Sequence, residues 1–222
     1  MKISVLMPIY NGIEFFQESY LTVCKQTHTD WELLIGINGH PDPSPILQTI
    51  QNVTGGDLRV RVFVQTTMGK PDSLNDLMTH VSTDWVALLD VDDTWARTKL
   101  EEQVGILPSL HPDTAVVGTF CHYFGELSGA PNIPAGYIAP STLAMLNPII
   151  NSSCLIRREN SQWTGTYNGV EDYELWMKIA LSGKKLYNIG KDLVGHRIHH
   201  RSAFNWAKQD VEQLRRHYIT RQ

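Results

Sequence analysis

Short apolar runs alternate with amphipathic stretches through the first hundred residues. Ile3, Val5, Leu6 and Met7 form an apolar run that ends at Pro8, and Asn11-Gly12 breaks it. A run of this kind predicts a buried strand. Phe15, Phe16, Tyr20, Val23 and Cys24 then recur at helical spacing, with Gln17, Glu18 and Lys25 between them. Trp31 to Ile37 reads as a second strand, His40 to Pro45 as a loop, and a short helix follows from Ser44. Val60 to Val64 alternates Val and Phe with Arg, which predicts a third strand. Pro71 suits the first turn of a helix, where its missing N–H costs little. Trp85 to Leu89 is almost wholly apolar and predicts a fourth strand, with a helix expected near Trp95.

This β-α-β-α-β-α-β-α order predicts an α/β fold. Its Rossmann-like central sheet is mainly parallel and flanked by helices on both faces. Ligands in such sheets bind at the carboxyl ends of the strands. The rule points to Pro8-Ile9-Tyr10, Ile37-Asn38-Gly39 and Asp90-Val91-Asp92-Asp93.

The second half is less regular. Ala115 to Phe124 predicts a strand, and Gly125 to Pro140, with its Gly and Pro residues, predicts a mobile loop. Glu171 to Ser182 predicts a helix with Leu175, Trp176, Ile179 and Ala180 as its apolar stripe. A last helix is expected from Ala203 to Tyr218, carrying Lys208, Arg215 and Arg216.

Composition narrows the class. The 222 residues, 42% hydrophobic and 19% charged, suit one domain with a real core. A net charge of −4 without a long Lys/Arg run argues against nucleic acid as a partner. Cys24, Cys121 and Cys154 are odd in number and far apart, so neither a zinc site nor a disulfide framework is expected. Reduced, mostly buried thiols in a cytoplasmic protein fit instead. The apolar start is too short for a signal-peptide core or a membrane span, so at most a peripheral membrane attachment is expected.

Asp90, Asp92 and Asp93 bring three like charges into four residues at a strand end. Their repulsion must be relieved by basic groups or a cation. Oxygen ligands favour Mn²⁺ or Mg²⁺, bound partly by carboxylate and partly by substrate phosphates. A solvated turn capping the next helix is the alternative.

In five segments taken in order, the chain resembles the family 2 glycosyltransferases, which have the GT-A fold. Ser4 to Asn11 resembles the opening strand and Pro-x-Tyr-Asn turn, and Gln26 to Glu32 the segment before the second strand. Leu88 to Asp93 is similar to the DxD motif, Glu171 to Trp176 to the Glu-Asp motif, and Arg197-Ile198-His199 with Ser202 to the late Arg-x-His segment. The resemblance implies one GT-A domain over 1–222. Its half 1–100 would bind a nucleotide-sugar and its half 101–222 a glycan, lipid-linked or protein acceptor.

By that resemblance Pro8, Tyr10, Asn11, Asn38, Lys70, Asp90 and Asp92 would contact the donor. Asp92 and His199 would hold the metal, with His196 and His200 close by. Asp172 would act as general base in an inverting transfer, with Glu171 beside it as the other candidate. Asn75 matches an Asn of the family and would contact the donor or tie down its loop. Trp163, in the polar stretch Asn160 to Asn168, and Trp176, on an apolar helix face, are candidates for stacking on an acceptor sugar.

One departure stands out. The family carries an Asp pair where this chain has Ile37-Asn38. Asn38 still offers a donor and an acceptor to a base edge. UDP is the expected nucleotide, with dTDP or GDP as alternatives. A sugar nucleotidyltransferase would want a Gly-rich basic loop after the first strand, and a dinucleotide oxidoreductase a G-x-G-x-x-G. Neither is present. A non-catalytic nucleotide-sugar or glycan-binding module would not need both carboxylate clusters.

Overall fold

A computed structural model describes residues 1–167, 169–200 and 210–220. In its first half the chain runs β1 (Ile3–Ile9), α1 (Phe16–Cys24), β2 (Trp31–Asn38), α2 (Ser44–Thr54), β3 (Val60–Gln65), α3 (Lys70–Met78) and β4 (Trp85–Leu88). The second half adds β5 (Thr94–Trp95), α4 (Lys99–Ile106), β6 (Thr114–Gly125), β7 (Gly136–Tyr137) and α5 (Pro140–Met145). It ends with β8 (Leu155–Arg157), α6 (Glu171–Leu181), β9 (Lys185–Ile198) and α7 (Val211–Ile219). One sheet runs β3-β2-β1-β4-β8-β6-β9-β5, with β7 also on β9. The strands β3, β2, β1 and β4 are parallel, as are β6 and β9, while β8 joins the two groups antiparallel.

Side-chain alternation explains why helices cover both faces. Leu6, Leu34, Val86 and Leu88 point to one face and pack with Leu74 and Leu77 of α3, Trp176 of α6 and Leu214 of α7. Val5, Met7, Leu33, Ile35 and Ala87 point to the other and meet Phe16 and Tyr20 of α1, Ile46 of α2 and Leu100 of α4. A period of two in the strands thus feeds two separate cores. Cys24, Cys121 and Cys154 are free, the last two buried. No helix among the described residues is long and apolar enough to cross a membrane.

The sequence reading needs several corrections. Thr94–Trp95 is a short strand against β9, so the fourth helix starts only at Lys99. The stretch 125–140 is pinned at several points. Glu126 N–H donates to Ile198 O, Tyr123 N–H to Gly129 O, and Gly136–Tyr137 pairs with β9. The strands β8 and β9 were not anticipated. In β9 the charged and glycine positions Lys185, Gly190, Lys191 and Asp192 obscure the alternation. The last described helix covers Val211–Ile219; residues 203–209, Lys208 among them, lie outside the described residues, as does Ser202.

Lys99 is fully buried against the Trp95 ring, its Nζ 4.0 Å from the centroid and 2.9 Å from Gln103 Oε1. Burial pushes its ammonium down to about 7, against a small opposing pull from Cys154. The unfolded chain therefore binds the proton more tightly, and stability rises with pH between about 7 and 10. Lys99→Met keeps the volume without the charge. Thermal melts should show a gain of roughly 1–4 kcal/mol at pH 7 that vanishes above pH ~10. A loss at pH 7 would mean that the ammonium is structurally required.

Candidate active site

A cavity of about 670 Å³ opens at the carboxyl ends of β1, β2 and β4. Pro8, Tyr10, Asn11, Asn38, Lys70, Asp90 and Asp92 all line it. So do His199, Glu171, Asp172 and Trp163. Gly12, in the turn that follows β1, has φ +87°, and a Cβ there would meet Val91 Cγ1 at 3.0 Å. Its glycine lets that turn close onto the acidic loop after β4.

Each carboxylate of this loop has a separate partner. Asp90 receives Lys70 Nζ at 2.6 Å and Asn151 Nδ2 at 3.2 and 3.1 Å, while its N–H donates to Ser152 Oγ. Asp92 Oδ2 lies 3.0 Å from His199 Nε2. Asp93, 1% exposed, lies 3.1 Å from His196 Nδ1 and accepts the Arg197 N–H. Arg197 Nε donates to the Asp92 carbonyl, its guanidinium pairs with Glu18, and the group sits between the Phe15 and Phe124 rings. The three late histidines are thereby separated, since His200 Nδ1 lies against Glu126.

The electrostatics follow from these pairings. Burial would raise the Asp90 carboxyl, but Lys70 and Asn151 hold it below the usual range. Burial would lower the Lys70 ammonium, but Asp90 holds it above its usual value. The Asp92 carboxyl is raised, first by burial and then by Asp93 and Asp90. Burial would lower His196, but the bond to Asp93 and the charges of Asp93, Asp90 and Asp92 together raise it to about 9.

Glu171 and Asp172 stand in the first turn of α6. Asp172 Oδ1 accepts the Tyr173 N–H at 2.7 Å and Oδ2 accepts Asn147 Nδ2 at 3.0 Å. Asn147 Oδ1 in turn accepts the Ile149 N–H at 3.3 Å, which fixes which end of the amide faces Asp172. Burial pushes the Asp172 carboxyl up to about 6; Lys70 opposes the rise and Glu171 adds to it.

Asn38 lines the cavity but is only 5% exposed, and its Oδ1 is itself buried, without a hydrogen-bond partner among the described residues. Lys70, expected on a diphosphate, is paired here with Asp90. Asn75 ties down a loop: it accepts the Trp163 N–H and donates to the Trp163 carbonyl. Trp163 is only 2% exposed, so its ring forms cavity wall more than an open stacking platform. Trp176 does not reach the cavity. It is fully buried and its Nε1 donates to the Ile149 carbonyl, so its candidacy as an acceptor contact is withdrawn. Asn147, Asn151 and Ser152 were missed, their one sequence signal being a cluster of Asn and Ser around the apolar Ile149-Ile150, and Arg215 was placed on the last helix without a role at the site.

Asp92 Oδ2 and His199 Nε2 supply one oxygen and one nitrogen at the cavity. No group of three His, Cys, Asp or Glu side chains that could hold a metal ion occurs among the described residues, so an ion at this pair would need most of its ligands from substrate oxygens.

A cavity at the ends of parallel strands, with an acidic loop and a second carboxylate pair on its wall, stands where an open α/β sheet binds its ligand. The sequence model described as glycosyl transferase family 2 matches residues 4–170. The chain belongs to that family and is a glycosyltransferase. It is 27% identical over 203 residues to the putative glycosyltransferase EpsE of Bacillus subtilis, covering 86% of this chain and 71% of EpsE. It superposes on S. aureus TarS 1-349 in complex with UDP-GlcNAc with a TM-score of 0.78 at 17% identity, covering 100% of this chain and 66% of TarS. It also superposes on the mannosyltransferase PcManGT of Pyrobaculum calidifontis in complex with GDP-Man and Mn²⁺. There the TM-score is 0.70 at 18% identity, covering 92% of this chain and 59% of PcManGT. The chain thus spans under two thirds of both solved chains. These likenesses show the GT-A fold.

The Asp172 carboxyl carries a stability consequence. Its folded pKa lies above the unfolded value near 3.9, so stability falls as pH rises from about 4 to 6 and stays lower above. Melting curves of Asp172→Asn should match or exceed wild type at pH 8 and lose that advantage by pH 4. A lower melting point at pH 8 would mean that the charge is stabilising.

Proposed function

We propose that the chain transfers a sugar with inversion from a nucleotide-sugar, UDP-linked by first choice, to an acceptor hydroxyl. The observation that carries this reading is the placement of the Asp92–His199 pair and of Asp172 on one cavity. Residues 1–100 hold the donor and 101–222 the acceptor. Asn38, on the cavity wall, has a carboxamide with donor and acceptor atoms suited to a base edge. Lys70, at the N-terminus of α3, and the helix end itself favour the diphosphate. TarS in complex with UDP-GlcNAc and PcManGT with GDP-Man and Mn²⁺ support a nucleotide-sugar donor and a divalent ion. Held by Asp92 and His199, a Mn²⁺ or Mg²⁺ ion would offset the charge that builds on the leaving diphosphate.

Asp172 is the base. Its oxygens are oriented by the Tyr173 N–H and Asn147, and its carboxyl, raised to about 6, remains ionised at neutral pH. It takes the acceptor proton as the hydroxyl oxygen bonds to C1 and the bond from C1 to the phosphate oxygen breaks on the opposite side. Direct displacement inverts the anomeric carbon.

Calorimetry with UDP, dTDP and GDP, each with and without Mn²⁺, tests the donor side. One nucleotide should bind only with Mn²⁺, and Asp92→Ala should abolish that binding. Nucleotide binding that is indifferent to both would refute the assignment. Asp172→Asn should keep donor binding and lower transfer by about 10²–10⁴-fold. The wild-type rate should fall below pH ~6 as Asp172 takes up its proton. If Glu171→Gln reproduces the loss and Asp172→Asn does not, the base is Glu171.

A further inference from the structure

Arg215 is a cation in an acidic cavity, yet it is bound to no carboxylate among the described residues. Val211 and Arg215, one helical turn apart on α7, both line the cavity. Leu214 and Tyr218, on the adjoining face, are buried in the core with Tyr173 and Leu143, which fixes the helix and its direction. Arg215 Nε lies 3.3 Å from the Tyr173 hydroxyl, and that hydroxyl spends its own proton on the Leu143 carbonyl. The phenol oxygen is therefore an acceptor for Arg215. The two Nη groups have no hydrogen-bond or ion-pair partner among the described residues.

Among the carboxylates on the cavity wall, Asp90 is paired with Lys70, Asp92 with His199, Asp93 with His196 and Asp172 with Asn147; Glu171 stands there too, and Arg215 is bound to none of them. A guanidinium among so many anions would be expected to collapse onto one of them. Tyr173 holds it back, with its planar fork left free. Such a fork matches the two oxygens of a carboxylate or phosphate. Its anchor is the residue after Asp172, so the fork belongs to the α6 wall of the cavity.

We infer that Arg215 forms a subsite for an oxyanion carried by the acceptor, a phosphate or a uronic carboxylate near the reacting hydroxyl. This rests on the proposed function only in naming the acceptor as the carrier. Lys70 serves the donor diphosphate from α3, so Arg215 adds selectivity for charged over neutral acceptors.

The test is calorimetric titration of the full chain with methyl phosphate, methyl glucuronide and neutral methyl glucoside. Each is run with and without Mn²⁺ and the nucleoside diphosphate that binds. Wild type should bind at least one of the two anions and not the glucoside, with or without nucleotide. Which anion binds separates a phosphate-bearing from a uronic acceptor. Arg215→Gln should weaken that binding about tenfold or more, and Arg215→Lys, which keeps the charge without the fork, should fall between. Thermal melts check that the variants fold; if Arg215→Gln does not, Arg215→Lys carries the comparison. Equal affinity in all variants, or no anion binding by wild type, would overturn the inference. Displacement of the anion by nucleotide would also overturn it, because Arg215 would then serve the donor. If no nucleotide binds at all, the donor reading fails, while the nucleotide-free titration still reports on Arg215.

Discussion

Three carboxylates within one loop cannot stay close together unless each is answered, and the structure of the second half follows from that need. Asp90, Asp92 and Asp93 fall within four consecutive positions, and their compensating groups come from distant parts of the chain. Lys70 arrives from α3, Asn151 from the segment before β8, and His196, Arg197 and His199 from the end of β9. The β5–β9 pairing, Thr94 opposite Gly195, brings the end of β9 beside the loop. A Cβ at Gly195 would meet Thr94 Oγ1 at 2.5 Å, so this approach depends on glycine. The acidic loop and the long strand are therefore one unit. The first half of the sheet supplies the negative charge and the second half supplies most of what makes it tolerable.

Asp172 is treated differently. It has neutral donors, the Tyr173 N–H and Asn147, and stands near both Lys70 and Glu171. Neutral donors orient a carboxylate without depressing its basicity as a direct ion pair does. In the proposed reaction this difference separates the roles. The loop carboxylates are engaged by basic partners and hold ligands, while Asp172 keeps a carboxyl that can exchange a proton. The raised carboxyl costs the fold some stability, the usual exchange at a working site.

The first hundred residues were legible because β1, β2 and β4 are short and buried on both faces, so apolar runs mark them, while β3 at the sheet edge shows itself by alternation. Their carboxyl ends then located Asn38 and the acidic loop. Helix α6 was legible from its stripe, and Glu171 and Asp172 from their place at its start. What stayed hidden depends on long-range pairing. Strand β9 is paired on both edges, yet Gly190, Lys191 and Asp192 interrupt its pattern. Asn147 and Asn151 look like ordinary loop residues until the fold brings them to Asp172 and Asp90. Trp176 shows the opposite limit: a tryptophan near catalytic residues in sequence spends its indole N–H on the Ile149 carbonyl inside the core.

The most direct measurement is diffraction at the manganese absorption edge from crystals soaked with Mn²⁺ and the nucleoside diphosphate that binds. The account predicts one anomalous peak bonded to Asp92 Oδ2, His199 Nε2 and phosphate oxygens, with the base beside Asn38. A bound nucleotide with its Mn²⁺ away from Asp92 and His199, or with no Mn²⁺ at all, would contradict it.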